Sequence, residues 1–196
     1  MFEALIRKQL EAGIMKEEDI SVYRYGYTLI SEMLVNFVIA IMIGILMDEV
    51  MMISVFLMAF IPLRSFAGGY HADKAWKCVI LSNSVIITAI LAARFMCTMD
   101  LLPWLFLMEA VLGFIIIRTA PVQSLNKKLS GPEAACYKKI VLILYITEVL
   151  IEILIFLSDY KNIAYVILIT HIIVSISLMI GKHHKKNQKT EVYAQK

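Results

Sequence analysis

Six apolar blocks, at roughly 28–47, 50–63, 78–96, 101–117, 140–157 and 163–180, leave this chain few ways to fold. A helix needs about 20 residues, within a range of about 17–25, to cross a hydrocarbon core of about 30 Å. Inside that core each backbone N–H and C=O must find its partner within the protein, which favours helices. Five blocks meet the length requirement. The second, Val50 to Leu63, rises only about 21 Å at 1.5 Å per residue. Three solutions remain open for it: a helix continuing into Arg64–Gly69, a thinned bilayer, or a partly re-entrant segment. Hydrophobic residues make up 60% of the chain, against about 45–50% in a soluble domain. The pattern predicts an all-α polytopic membrane bundle of about six transmembrane segments. Nothing resembles a Pro/Gly/Ser-rich linker, so 1–196 reads as one domain.

Charge sets the orientation. With the N-terminus inside and all six blocks crossing, 17 of the 19 basic residues fall inside, and only Arg94 and Lys161 fall outside. The outer turns are short and hold Asp48, Glu49, Asp100 and Asp159. Such an excess of inner Lys and Arg obeys the positive-inside rule and predicts cytoplasmic N- and C-termini in the cell membrane. Five or seven spans would destroy the asymmetry.

The ends of the chain are polar in different ways. Residues 1–26 begin with Phe2, Leu5, Ile6, Leu10 and Ile14 at helical spacing, opposite Arg7, Lys8, Gln9 and Glu11. This predicts an amphipathic helix in the membrane interface, with a soluble helix docked on a partner as the alternative. Charges throughout and the lack of an apolar h-region argue against a signal peptide, so the mature protein is expected to begin at or near Met1. Tyr23, Tyr25 and Tyr27 suit a membrane–water boundary. Residues 181–196 form a basic cytoplasmic tail suited to anionic lipid. A nucleic-acid partner is not expected for so short a tail.

The segment Arg64–Cys78 departs from its surroundings, combining Arg64, Gly68, Gly69, His71, Asp73 and Cys78. A cysteine attacks as thiolate, and a histidine can take its proton and later give it to a leaving amine. A position near the N-terminus of the third apolar helix would add the favourable end of a helix dipole. Spacing imposes a test. Seven residues along one straight helix separate His71 and Cys78 by about 10.5 Å, whereas a base must approach to about 3 Å. The chain must bend between them. Without that bend, the pair reduces to a surface histidine and an unrelated membrane cysteine.

The run Arg64-Ser65-Phe66-Ala67-Gly68-Gly69-Tyr70-His71, followed by Cys78 and set between apolar segments in a chain of this size, resembles the accessory gene regulator B (AgrB) family. The amphipathic start, basic inner loop and basic tail resemble it too. The resemblance implies a membrane cysteine endopeptidase of Gram-positive quorum sensing, acting on an AgrD-like propeptide. It implies Cys78 as nucleophile, His71 as base, and Arg64, Gly68 and Gly69 in support. In the implied reaction, cleavage leaves an acyl thioester on Cys78, which a thiol or hydroxyl of the peptide then attacks to close a thiolactone or lactone. Gly68–Gly69 amides or the Arg64 guanidinium would hold the oxyanion. Asp73 is a weaker candidate for a third member, and a dyad is the simpler expectation. Lys127 and Lys128, in an inner loop read as Arg118–Lys139, would contact an acidic propeptide tail. No cofactor or metal is expected.

Two rivals stand beside this reading. One is a non-enzymatic small membrane transporter or export factor. The other is a metal site built from His71, Asp73 and Cys78. The three cysteines, Cys78, Cys97 and Cys136, form no CxxC pair, which argues against a zinc ribbon or disulfide framework. Glu32, Glu109, Glu148, Glu152 and His171 lie within apolar blocks, where ionisable groups are costly. Pairing between helices, or across a homodimer interface, is expected for them ahead of a polar groove for the peptide. Glu148 and Glu152 share a helix face at i, i+4. Asn36 and Ser82, Asn83 and Ser84 are expected in helix packing.

Overall fold

The computed structural model describes residues 3–69, 75–99, 102–122 and 130–194. Among these, a short helix α1 (Glu3–Glu11) and a 3₁₀ turn precede six long helices: α2 (Ile20–Met47), α3 (Val50–Ala67), α4 (Ala75–Cys97), α5 (Leu102–Thr119), α6 (Gly131–Leu157) and α7 (Lys161–Ala194). Five contain stretches long and apolar enough to cross a membrane: Gly26–Met47, Val50–Ala67, Trp76–Cys97, Gly131–Leu157 and Lys161–His183. The sixth, α5, has 18 residues. The chain is an all-helical membrane bundle.

Contacts at the two ends show how the helices alternate. At one end, Arg94 near the close of α4 pairs with Glu49 between α2 and α3, its Nε 2.7 Å from Oε1. There too Cys97 meets Asn162 at the start of α7, at 3.2 Å. At the other end, Gly68 after α3 bridges to Val122 after α5, and Phe66 packs edge-on against Tyr137 of α6. Six successive helices therefore run up and down, leaving the starts of α2 and the end of α7 on one side.

Helix α7 is the centre. It packs against α3, α4, α5 and α6, and Ile163 through His171 are all buried. One apolar layer, including Phe56, Ile90, Leu105, Tyr165 and Leu168, surrounds its first half. A second, including Leu63, Ile116, Val141 and Leu178, surrounds its second half. In lipid, helices gain by close packing, so small residues mark contact points. Buried Ala40 of α2 and Ala89 and Ala93 of α4 fit this pattern. Near them Asn83 Nδ2 donates to Asn36 Oδ1 at 3.3 Å across the same pair of helices. By contrast, Leu34, Phe37, Leu46, Met58, Phe95 and Phe114 point outward as an apolar surface.

The short second block is resolved by the first of its three solutions. Helix α3 continues through Pro62 to Ala67, 18 residues in all, or about 27 Å. The inner loop is shorter than expected. Residues 131–139 belong to α6 and not to a loop ending at Lys139. Ser130 and Glu133 form a reciprocal capping box, with Pro132 in the first turn, so the helix starts before its apolar face does. The basic tail continues α7 as helix to Ala194. Helix α1 folds back on α2, where Arg24 pairs with Glu3 and Tyr27 donates to Gln9 at 2.6 Å.

Gly113 of α5 faces the Tyr145 ring of α6. A Cβ there would lie 2.6 Å from Tyr145 Cε1, and the Tyr145 hydroxyl is held by Glu109. Gly113→Ala is therefore expected to destabilise the bundle by about 1–3 kcal/mol through overpacking. Gly26→Ala, with nothing within 4 Å of its Cβ, is expected to be neutral. Thermal unfolding of the purified variants in detergent checks both.

Candidate active site

The site begins where α3 stops. Gly68 has φ 74° and Gly69 φ 129°, values that side-chain-bearing residues rarely adopt. The Gly68 N–H still donates to the Arg64 carbonyl at 3.0 Å, closing the last turn, and the chain then leaves the helix axis. Val122 N–H donates to the Ala67 carbonyl at 2.8 Å, tying the segment after α5 to this turn. A Cβ on Gly68 would collide with the Val122 carbonyl. One on Gly69 would lie 2.9 Å from Ser177 Oγ of α7 and would press on the Arg64 guanidinium. Both glycines are thus required by close approach as well as by backbone angle.

Arg64 lies in the last turn of α3, and its Nη1 donates to the Gly68 carbonyl. The side chain folds over the end of its own helix, where a cation meets the negative end of the dipole. The same guanidinium interacts electrostatically with Cys78. Cys78 is a free, half-buried thiol in the first turn of α4, at the positive end of that helix's dipole. Arg64 thus stands at the end of α3 with the Gly68–Gly69 turn, and Cys78 at the start of α4. His71 and Asp73 lie outside the described residues, as do Lys127 and Lys128. Helix α3 ends before His71, and the helix bearing Cys78 starts after it.

A second polar centre lies deeper. His171 of α7 has Nδ1 2.9 Å from Glu109 Oε1 of α5 and Nε2 3.0 Å from Glu148 Oε2 of α6. Tyr145 donates to Glu109 Oε2 at 2.6 Å. The expected interhelical pairing is present for Glu109 and Glu148, and it joins three helices through one imidazole. Glu32, on α2, stands apart from it.

The family model for accessory gene regulator B matches residues 3–178. The chain belongs to the accessory gene regulator B family. No curated protein and no solved structure shows a significant match. The matched span takes in every element of the Arg64–Cys78 site and all of the His171 cluster. Membership in this family links the chain to the processing of autoinducer peptides in quorum sensing, with a propeptide as the substrate partner.

Sequence reasoning had singled out Arg64, Gly68, Gly69 and Cys78, and the fold assembles these four at one end of the bundle. It missed Ser177 and Val122, which wall the glycine turn from α7 and from the segment after α5. Neither residue type carries a signal in the sequence. Gly68→Ala is expected to force Val122 away and to reduce propeptide processing at least tenfold while helical content stays unchanged. A cell-based processing assay paired with circular dichroism of the purified variant checks this.

Proposed function

We propose that this protein is a membrane-embedded cysteine endopeptidase that removes the C-terminal tail of a quorum-sensing propeptide and supports cyclisation of the remainder. The observation that carries the reading is Cys78 in the first turn of α4, in electrostatic interaction with the Arg64 guanidinium at the end of α3. The half-buried thiol stands at the same end of the bundle as Arg118, Lys138 and Lys139, and the positive-inside rule supports reading that end as cytoplasmic.

In the proposed reaction His71 takes the proton of Cys78, and Sγ attacks the scissile carbonyl. The tetrahedral adduct collapses by breaking the C–N bond, and His71 delivers the proton to the departing amine. A thioester now joins the peptide to Cys78. A thiol or hydroxyl of the same peptide attacks that carbonyl, closes the ring and returns Cys78 with its proton. Excluding water protects the thioester from hydrolysis, which suits a nucleophile at the end of a membrane helix. The commitment of Arg64 Nη1 to the Gly68 carbonyl gives this residue a positioning role in the turn.

Cys78→Ala and His71→Ala are each expected to abolish propeptide cleavage with the protein still inserted and folded, whereas a non-enzymatic export factor would tolerate both. Reversing the charges at Lys127 and Lys128 is expected to weaken processing severalfold while leaving acyl-enzyme formation intact. Measuring cleavage of a co-expressed propeptide by immunoblot separates these outcomes, and full cleavage by Cys78→Ala would sink the reading.

A further inference from the structure

Glu152 is fully buried, and among the described residues neither of its carboxylate oxygens has a hydrogen-bond partner. Its ligand atom lies within 4.8 Å of ligand atoms from Glu109 and His171. It projects from α6 one turn beyond Glu148, toward the same imidazole. Three carboxylates thus surround one histidine inside the bundle. The cluster stands six residues before Ser177 on α7, about 9 Å along the helix, so it is separate from the glycine turn and Cys78.

Charge makes this arrangement incomplete. One imidazole stands among three buried carboxylates, and a buried carboxylate is strongly disfavoured unless a proton or a cation neutralises it. We propose that Glu109, Glu152 and His171 bind one divalent ion of the zinc class. Two carboxylate oxygens and one imidazole nitrogen form a donor set suited to such ions. On binding, His171 Nδ1 releases its proton and coordinates, while Nε2–H continues to donate to Glu148. A carboxylate holding the far nitrogen of a ligating histidine is the recurrent support for such sites. The Tyr145 hydroxyl plays the same part for Glu109. Ligand bonds of about 2.0–2.2 Å place tetrahedral donors about 3.4 Å apart. The pair now at 2.9 Å needs a shift of about half an ångström to meet that spacing. The ion would tie α5, α6 and α7 together. This site goes beyond the peptidase reading and does not depend on it.

The test uses the full chain without an affinity tag, with His183 and His184 replaced by alanine to remove the tail as a metal binder. The protein is purified in nanodiscs, stripped with chelator and dialysed against Zn²⁺. One zinc per chain by elemental mass spectrometry, a higher melting temperature with zinc, and at least tenfold weaker binding in Glu152→Gln are expected, with Cys78→Ala unchanged. Co²⁺ in place of zinc should give visible d–d bands with no thiolate charge-transfer band. If Glu152→Gln does not fold, the Co²⁺ spectrum decides alone. No stoichiometric metal would overturn the proposal and leave protons to neutralise the cluster. Loss of the metal in Cys78→Ala, or a thiolate band, would overturn it by placing the ion on cysteine.

Discussion

The bundle depends on α7 being enclosed by four other helices. In lipid there is no apolar driving force to bring helices together, so close packing and interhelical hydrogen bonds must do it. Helix α7 supplies both. Its buried run from Ile163 to His171 packs tightly, and His171 reaches α5 through Glu109 and α6 through Glu148. An imidazole shared by two carboxylates fixes the rotation of all three helices about their axes. That rotation sets the level of Ser177, which closes the glycine turn at the end of α3.

From this frame the candidate active site follows by short steps. Helix α3 must stop at Ala67, because Gly68 and Gly69 leave the helical region and the segment after α5 bonds to the turn. Arg64 then covers the exposed end of its own helix, and Cys78 stands in the first turn of the next long helix, α4. The Cys78 thiol owes its surroundings to the ends of helices, which offer unpaired backbone groups and dipole charge.

Much of this was legible in the sequence, and the exceptions have physical causes. Apolar length and charge asymmetry pointed to six long helices, and the described residues hold six, five of them long and apolar enough to cross a membrane. The full extent of α3 was hidden because Arg64 and Ser65 interrupt the apolar run although neither breaks a helix. The start of α6 was hidden by Lys138 and Lys139, yet Ser130, Pro132 and Glu133 carried a capping signal nine residues upstream. The acids of the membrane interior were individually conspicuous. Their choice of His171 was not, since the partners come from three helices and no local pattern encodes tertiary contact. Tyr145 was missed, although it shares the face of Glu148 and Glu152 and its hydroxyl needed a buried acceptor.

The central claim is that Cys78 carries the acyl group. Its most direct test is intact mass spectrometry of the protein purified with its propeptide, followed by peptide mapping. A covalent adduct of the propeptide's N-terminal portion on Cys78, released by hydroxylamine and missing from Cys78→Ala, is the expected result. An adduct on Cys97 or Cys136, or cleavage that proceeds with Cys78 replaced, would contradict it.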